Sequence, residues 1–172
     1  FNRNPTEGKA ALDALAATAT GADGEKAKGL ARSATECLIA LEKTNQNINH
    51  ADLAVVACGA VSPDGALVSG LREKAATDAV AQGEAFLDEQ PAKAGQAFRR
   101  ALKVRPDDPK AKAGLAKVLE QAHTLYMEGY VAAPRDPDAA AVSIRKALKL
   151  MQPGDPDYDK AKAKLEEVHP GG

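Results

Sequence analysis

The chain predicts an all-α fold built from antiparallel helical hairpins, and three observations predict it. The first is an internal repeat. Pro91 to Lys103 reads against Pro137 to Lys149 without a gap, so that Phe98, Ala101, Leu102 and Lys103 meet Ile144, Ala147, Leu148 and Lys149. The match continues from Pro106 through Leu115 into Pro153 through Leu165, and Gly83 and Gly129 stand equally far before their prolines. Repeats of this kind read as stacked hairpins, each burying its apolar face against the next. The second is periodicity: apolar residues recur at helical spacing, and no alternating strand pattern occurs. The third is composition. Aromatics make up 3% of the 172 residues and Trp is absent, so the core must be rich in Ala and Leu, which suits closely packed helices.

Each element follows from local signals. A first helix is expected from about Pro5 to Thr18, with Leu12 and Leu15 on its apolar side beside Ala11 and Ala16. Gly21 to Gly24 breaks it. The next helix is expected over about 25–45, where Leu30, Ala34, Cys37, Leu38 and Leu41 share a stripe. Asn45 to Asn49 reads as a turn, and Ala51, Ala54, Val55 and Cys58 form a shorter helix ending near Gly59. Ser62 and Pro63 are placed to cap and open a helix running to about Asp88. Pro91 to Val104 is a short helix, and Lys110 to about Val131 a long one striped by Leu115, Val118, Leu119, Ala122, Tyr126 and Gly129. Asp138 to Leu150 is short again, and 157–168 closes the chain.

The organisation is a single helical repeat domain over 1–172. It comprises an N-terminal helix (5–19), a divergent hairpin (25–60), two closely matching hairpins (63–104 and 107–151) and a capping helix (155–168). The last helix is Lys- and Glu-rich with few apolar residues, as a cap with one face in water should be.

Charged residues make up 27% and the net charge is −1, so no overall field attracts nucleic acid or anionic lipid. No apolar run is long enough to span a bilayer, and no signal peptide is visible. A chain that starts at Phe1 suits an excised or processed piece, with any membrane anchor outside it.

The spacing Ala-x3-large apolar-x2-Ala-x4-Pro, here Ala94, Phe98, Ala101 and Pro106, resembles the second helix of a tetratricopeptide repeat. Ala140, Ile144 and Ala147 repeat it, with Pro153 one place late. Gly83 and Gly129 resemble the small residue of that family's first helix. The repeat unit here is longer, and the early aromatic of the first helix is missing. The resemblance implies a right-handed stack of hairpins, an α-solenoid that binds proteins and needs no cofactor. The extended form, with Tyr126-Met127-Glu128-Gly129-Tyr130 and a closing Pro153-Gly154-Asp155-Pro156-Asp157-Tyr158, looks like helical domains of bacterial envelope proteins serving motility or secretion machines. In some of these a forkhead-associated domain and a membrane segment precede the repeats. That implies a periplasmic or membrane-anchored extracytoplasmic place; the alternative is the cytoplasm.

Cys37 and Cys58 lie about equally far from the turn at 45–49, on helices expected to face each other. A disulfide there would imply an oxidising compartment. Alternatively both are small core residues, because Cys58 takes the repeat position of Ala101 and Ala147. His123, Tyr126 and Tyr130 fall at i, i+3 and i+7 and can share a stripe. They are candidate anchors for a partner, with Arg72 and Glu84 as rim contacts. The alternative is packing against the next hairpin or the cap. Met127 is read as a filler of a core gap. Asp155, Asp157, Asp159 and Glu166 imitate the acidic spacing of a calcium loop, but Lys160 stands where the turn glycine belongs, and an acidic helix start explains them better. Arg99, Arg100, Lys103, Arg145, Lys146 and Lys149 recur on matching short helices and read as a solvated basic strip. Without aromatics interleaved in it, nucleic-acid binding is not expected.

His50, His123 and His169 are scattered, with no metal pair, no phosphate-cradling glycine loop and no nucleophile elbow. The expected function is therefore a protein-interaction scaffold, not an enzyme. It would dock a partner segment on the helical array, within a larger bacterial assembly. The alternative is a structural or oligomerising spacer without a groove.

Overall fold

Aspartate followed by proline sets where the best-defined helices begin. The computed structural model describes residues 1, 3–46 and 51–169 and is all-α: α1 (Pro5–Thr18), α2 (Gly21–Gln46), α3 (Ala51–Gly59), α4 (Ala66–Phe86), α5 (Pro91–Val104), α6 (Pro109–Ala132), α7 (Pro137–Leu150) and α8 (Tyr158–Val168). At α6 the Asp108 carboxylate accepts from the amides of Lys110 (3.1 Å) and Ala111 (2.9 Å). At α7 Asp136 accepts from Ala139 at 2.9 Å. Each cap is followed by a proline that has no amide to leave unsatisfied.

Two starts differ from the sequence expectation. Helix α2 opens at Gly21, not at residue 25. Gly21 takes a φ of 65°, and a side chain on Gly24 would stand 2.5 Å from the Ala19 carbonyl oxygen. The two glycines thus make the reversal out of α1 tight instead of prolonging a loop. Helix α4 opens at Ala66, not at Pro63, because Ser62 to Gly65 closes a turn of its own, with the Gly65 amide donating to the Ser62 carbonyl at 3.2 Å. The turn expected between α2 and α3 lies largely outside the described residues.

The chain forms two compact units. The first takes Phe1–Asp78 with Lys103–Pro106, and the second Ala79–Leu102 with Asp107–Gly172. In the first, α1 packs on α2 and α2 on α3. The buried face of α2 is Gly24, Ala27, Ala31, Ala34, Cys37, Ala40 and Thr44, while Leu30, Leu38 and Leu41 are only half-buried beside it. Small residues let the helix axes approach, and the leucines then flank the contact instead of filling it. Leu15 of α1, expected on the apolar side, is exposed, and α1 has no fully buried residue. Cys37 and Cys58 are joined by a disulfide with their Cα atoms 4.5 Å apart, tying α2 to α3, and both are fully buried. Around them Val55, Val68, Leu71 and Ala75 form the core, with Phe1, Leu41, Leu67 and Val104 packed at its margin.

In the second unit α6 packs on α7 and α7 on α8. Phe98 of α5 is fully buried. Its ring lies where Gly83 of α4 and Gly114 of α6 have no side chains; a Cβ at either would come within 2.5 Å or 2.3 Å of it. Ile144 of α7, the repeat partner of Phe98, sits likewise on Gly129 of α6. The buried face of α6 runs Ala111, Gly114, Val118, Ala122, Tyr126 and Gly129, and Leu115 and Leu119 stand half-buried to one side. Among the described residues no helix is long and apolar enough to cross a membrane.

Candidate partner-binding surface

The α6 stripe is assembled as the spacing requires, but α8 takes part of it. Tyr126 is buried and Tyr130 is half-exposed, at 51%. Their rings meet edge-on, 6.1 Å between centroids and 61° between planes. The Lys164 ammonium stands 5.1 Å above the Tyr130 ring, a cation–π contact made from α8. His123 Nδ1 lies 2.8 Å from Asp157 Oδ2 at the start of α8. In repeat register Lys164 occupies the place of Gly114: one copy leaves room for a ring beneath it, and the other reaches over one.

Asp157 holds this corner together. It sits at φ 64°, a left-handed conformation that Asp and Asn tolerate better than most residues, and its side chain makes no cap bond to α8. Instead it accepts from Lys160 (2.9 Å) and meets His123. The Lys160 hydrogen bond, then that of His123, holds its carboxyl below the ordinary 3.8, and the same bond pushes the Lys160 amine up. A depressed carboxylate contributes stability above its unfolded-state range and loses it as pH falls through the folded value. Melting followed by tyrosine fluorescence is therefore expected to weaken from about pH 5 to about pH 3. Asp157→Asn, which keeps the backbone conformation, should flatten that slope; an unchanged slope would remove Asp157 from the account.

Arg99 and Asp155 are also engaged. Arg99 pairs with Asp155 at only 17% side-chain exposure on each side, and Asp155 Oδ2 also accepts from the Gln152 amide at 2.6 Å. Arg99 is thus not part of a solvated strip: it ties α5 to the turn after α7. Among the described residues no three His, Cys, Asp or Glu side chains are grouped as metal ligands.

On the side of α6 next to the tyrosine stripe lies an open hollow of about 750 Å³, lined by His123, Thr124, Met127, Glu128, Val131 and Arg135 among others. Met127 is 41% exposed and Val131 70%, so Met127 fills no core gap. The signal was in the sequence: Met127 and Val131 lie one position beyond Tyr126 and Tyr130, off the face that Val118, Ala122, Tyr126 and Gly129 bury. Of the remaining candidates, Arg72 lines a hollow of about 430 Å³ in the first unit with Leu53, Val56 and Lys103, and Glu84 is exposed on α4.

Comparison with protein-family models, with curated proteins and with solved structures finds no match for this chain.

Proposed function

We propose that this chain is a short tetratricopeptide-like array that docks an extended segment or helix of a protein partner, within a bacterial envelope assembly such as a motility or secretion machine. The docking rests on one observation: Met127, Tyr130 and Val131 leave an apolar ridge exposed along the last turns of α6, beside the 750 Å³ hollow. Clustered exposed apolar side chains with a polar margin mark interaction sites. Here Glu128, Arg135 and Asp136 supply that margin. The array reading draws support from the repeat-equivalent seats of Phe98 on Gly83 and Ile144 on Gly129. The Cys37–Cys58 bond supports an oxidising, extracytoplasmic compartment. The chain does no chemistry in this reading.

Met127→Asp combined with Val131→Asp tests it. Both positions are exposed, so melting should not change. Cross-linking in the native cell, read by quantitative mass spectrometry, should lose the partner cross-linked through α6 by about tenfold or more, as for a hot-spot pair. An unchanged partner set overturns the reading. Concentration-dependent self-association that the same variant abolishes would instead make this ridge a contact between copies of the chain.

A further inference from the structure

The second unit carries another hollow, of about 430 Å³, which no part of the α6 reading uses. Its floor is apolar: Pro91 and Ala92 at the start of α5, Leu125 of α6 and Leu150 at the end of α7. Its rim is basic, with Lys93 on α5 and Lys146 and Lys149 on α7. Half of the other lysines that the structure describes are ion-paired. Lys9, Lys28, Lys74, Lys112, Lys160 and Lys164 each pair with a carboxylate of their own neighbourhood. Lys146 and Lys149 have no ion pair among the described residues, and Lys93 stands over the Phe86 ring, 5.5 Å from its centroid. The neighbouring Asp88 and Glu89 make no ion pair with any of the three.

Three cations around one apolar hollow set two requirements on an occupant. It must bring an apolar group for the floor, since a polar one would lose its water without a partner there. It must also bring negative charge to the rim, where unscreened like charges otherwise repel one another. A volume of this order accepts an anchoring side chain with its flanks. The first unit repeats the pattern on the matching position: Lys103, which corresponds to Lys149, rims its own apolar hollow of about 430 Å³ together with Arg72.

We infer that the hollow between the start of α5 and the end of α7 binds an acidic peptide segment, with one large apolar side chain on the Pro91, Leu125 and Leu150 floor and flanking Asp or Glu carboxylates on Lys93, Lys146 and Lys149. Lys149 lies in the last turn of α7, where the helix end favours a cation. The inference is independent of the α6 ridge, and its variants are different.

The test is fluorescence anisotropy with a labelled pentapeptide pool carrying Phe or Leu at the centre and Asp or Glu at the four flanks. The chain should bind this pool, and binding should weaken about tenfold from about 50 to about 300 mM salt. Lys146→Glu with Lys149→Glu should weaken it about tenfold or more, Lys146→Gln with Lys149→Gln by less, and Met127→Asp not at all. Both lysines are exposed, so melting should be unchanged. Equal binding of a pool flanked by Asn and Gln overturns the inference, as does no binding at millimolar peptide. Equal binding of an acidic pool with Ser at the centre reduces the hollow to a diffuse cationic surface. Lysine-dependent capture of phosphatidylglycerol vesicles in preference to the peptides would make the ligand a membrane, and likewise overturns it.

Discussion

Phe98→Ala lowers the unfolding free energy of the second unit by about 3–5 kcal/mol, the usual cost of deleting a fully buried aromatic ring. The three tyrosines, Tyr126, Tyr130 and Tyr158, all lie in that unit and the chain has no Trp, so urea unfolding followed by tyrosine fluorescence reads this unit directly. The ring's two glycine seats supply a sharper form of the experiment. Gly114→Ala would place a methyl 2.3 Å from the ring and should cost about 1–3 kcal/mol by overpacking. In the Phe98→Ala background the same methyl enters vacated space, so its cost should largely vanish. Additive effects of the two substitutions would mean that the ring does not occupy this seat.

Removing the disulfide by Cys37→Ala with Cys58→Ala costs about 3 kcal/mol, as expected from freeing a loop whose ends are 21 residues apart in sequence. The loss should appear in circular dichroism, to which every helix contributes. The variant should still fold, because the repeat places Ala101 and Ala147 where the first unit has Cys58, and alanine packs at both. Two free thiols in the denatured, unreduced protein, or a stability unchanged by the double substitution, would overturn this prediction.

Much of the local structure was legible because its causes are local. Proline at the first helical position and Asp before it announce α6 and α7 within a residue or two. Glycine, Ala and the large apolar residue at matching places in two copies announce which residues pack, and Phe98 and Ile144 are both fully buried. Of the stripe read on α2, Ala34 and Cys37 are fully buried, whereas Leu30, Leu38 and Leu41 are only half-buried. Hydrophobicity ranks the leucines above Ala27 and Ala31, whereas close helix packing selects the smaller side chain for the contact line. The same rule put Met127 in the core by composition, although its register with Tyr126 puts it outside.

The candidate site was legible only in its spacing. That His123, Tyr126 and Tyr130 share one side of α6 follows from 3.6 residues per turn. Whether that side is open depends on residues far along the chain: Asp157 meets His123 across 34 positions, and Lys164 covers Tyr130 from α8. The pairing of Arg99 with Asp155, 56 positions away, is likewise invisible to any local pattern. The sequence by itself determined the helices, apart from the starts of α2 and α4, and the repeat, because propensity and periodicity act within a few residues. Only the tertiary structure decided which charges are spent on structure and which, like Lys146 and Lys149, are left facing an apolar hollow. An ion pair needs two groups within about 4 Å, and nothing in the chemistry of either one records where the other will be.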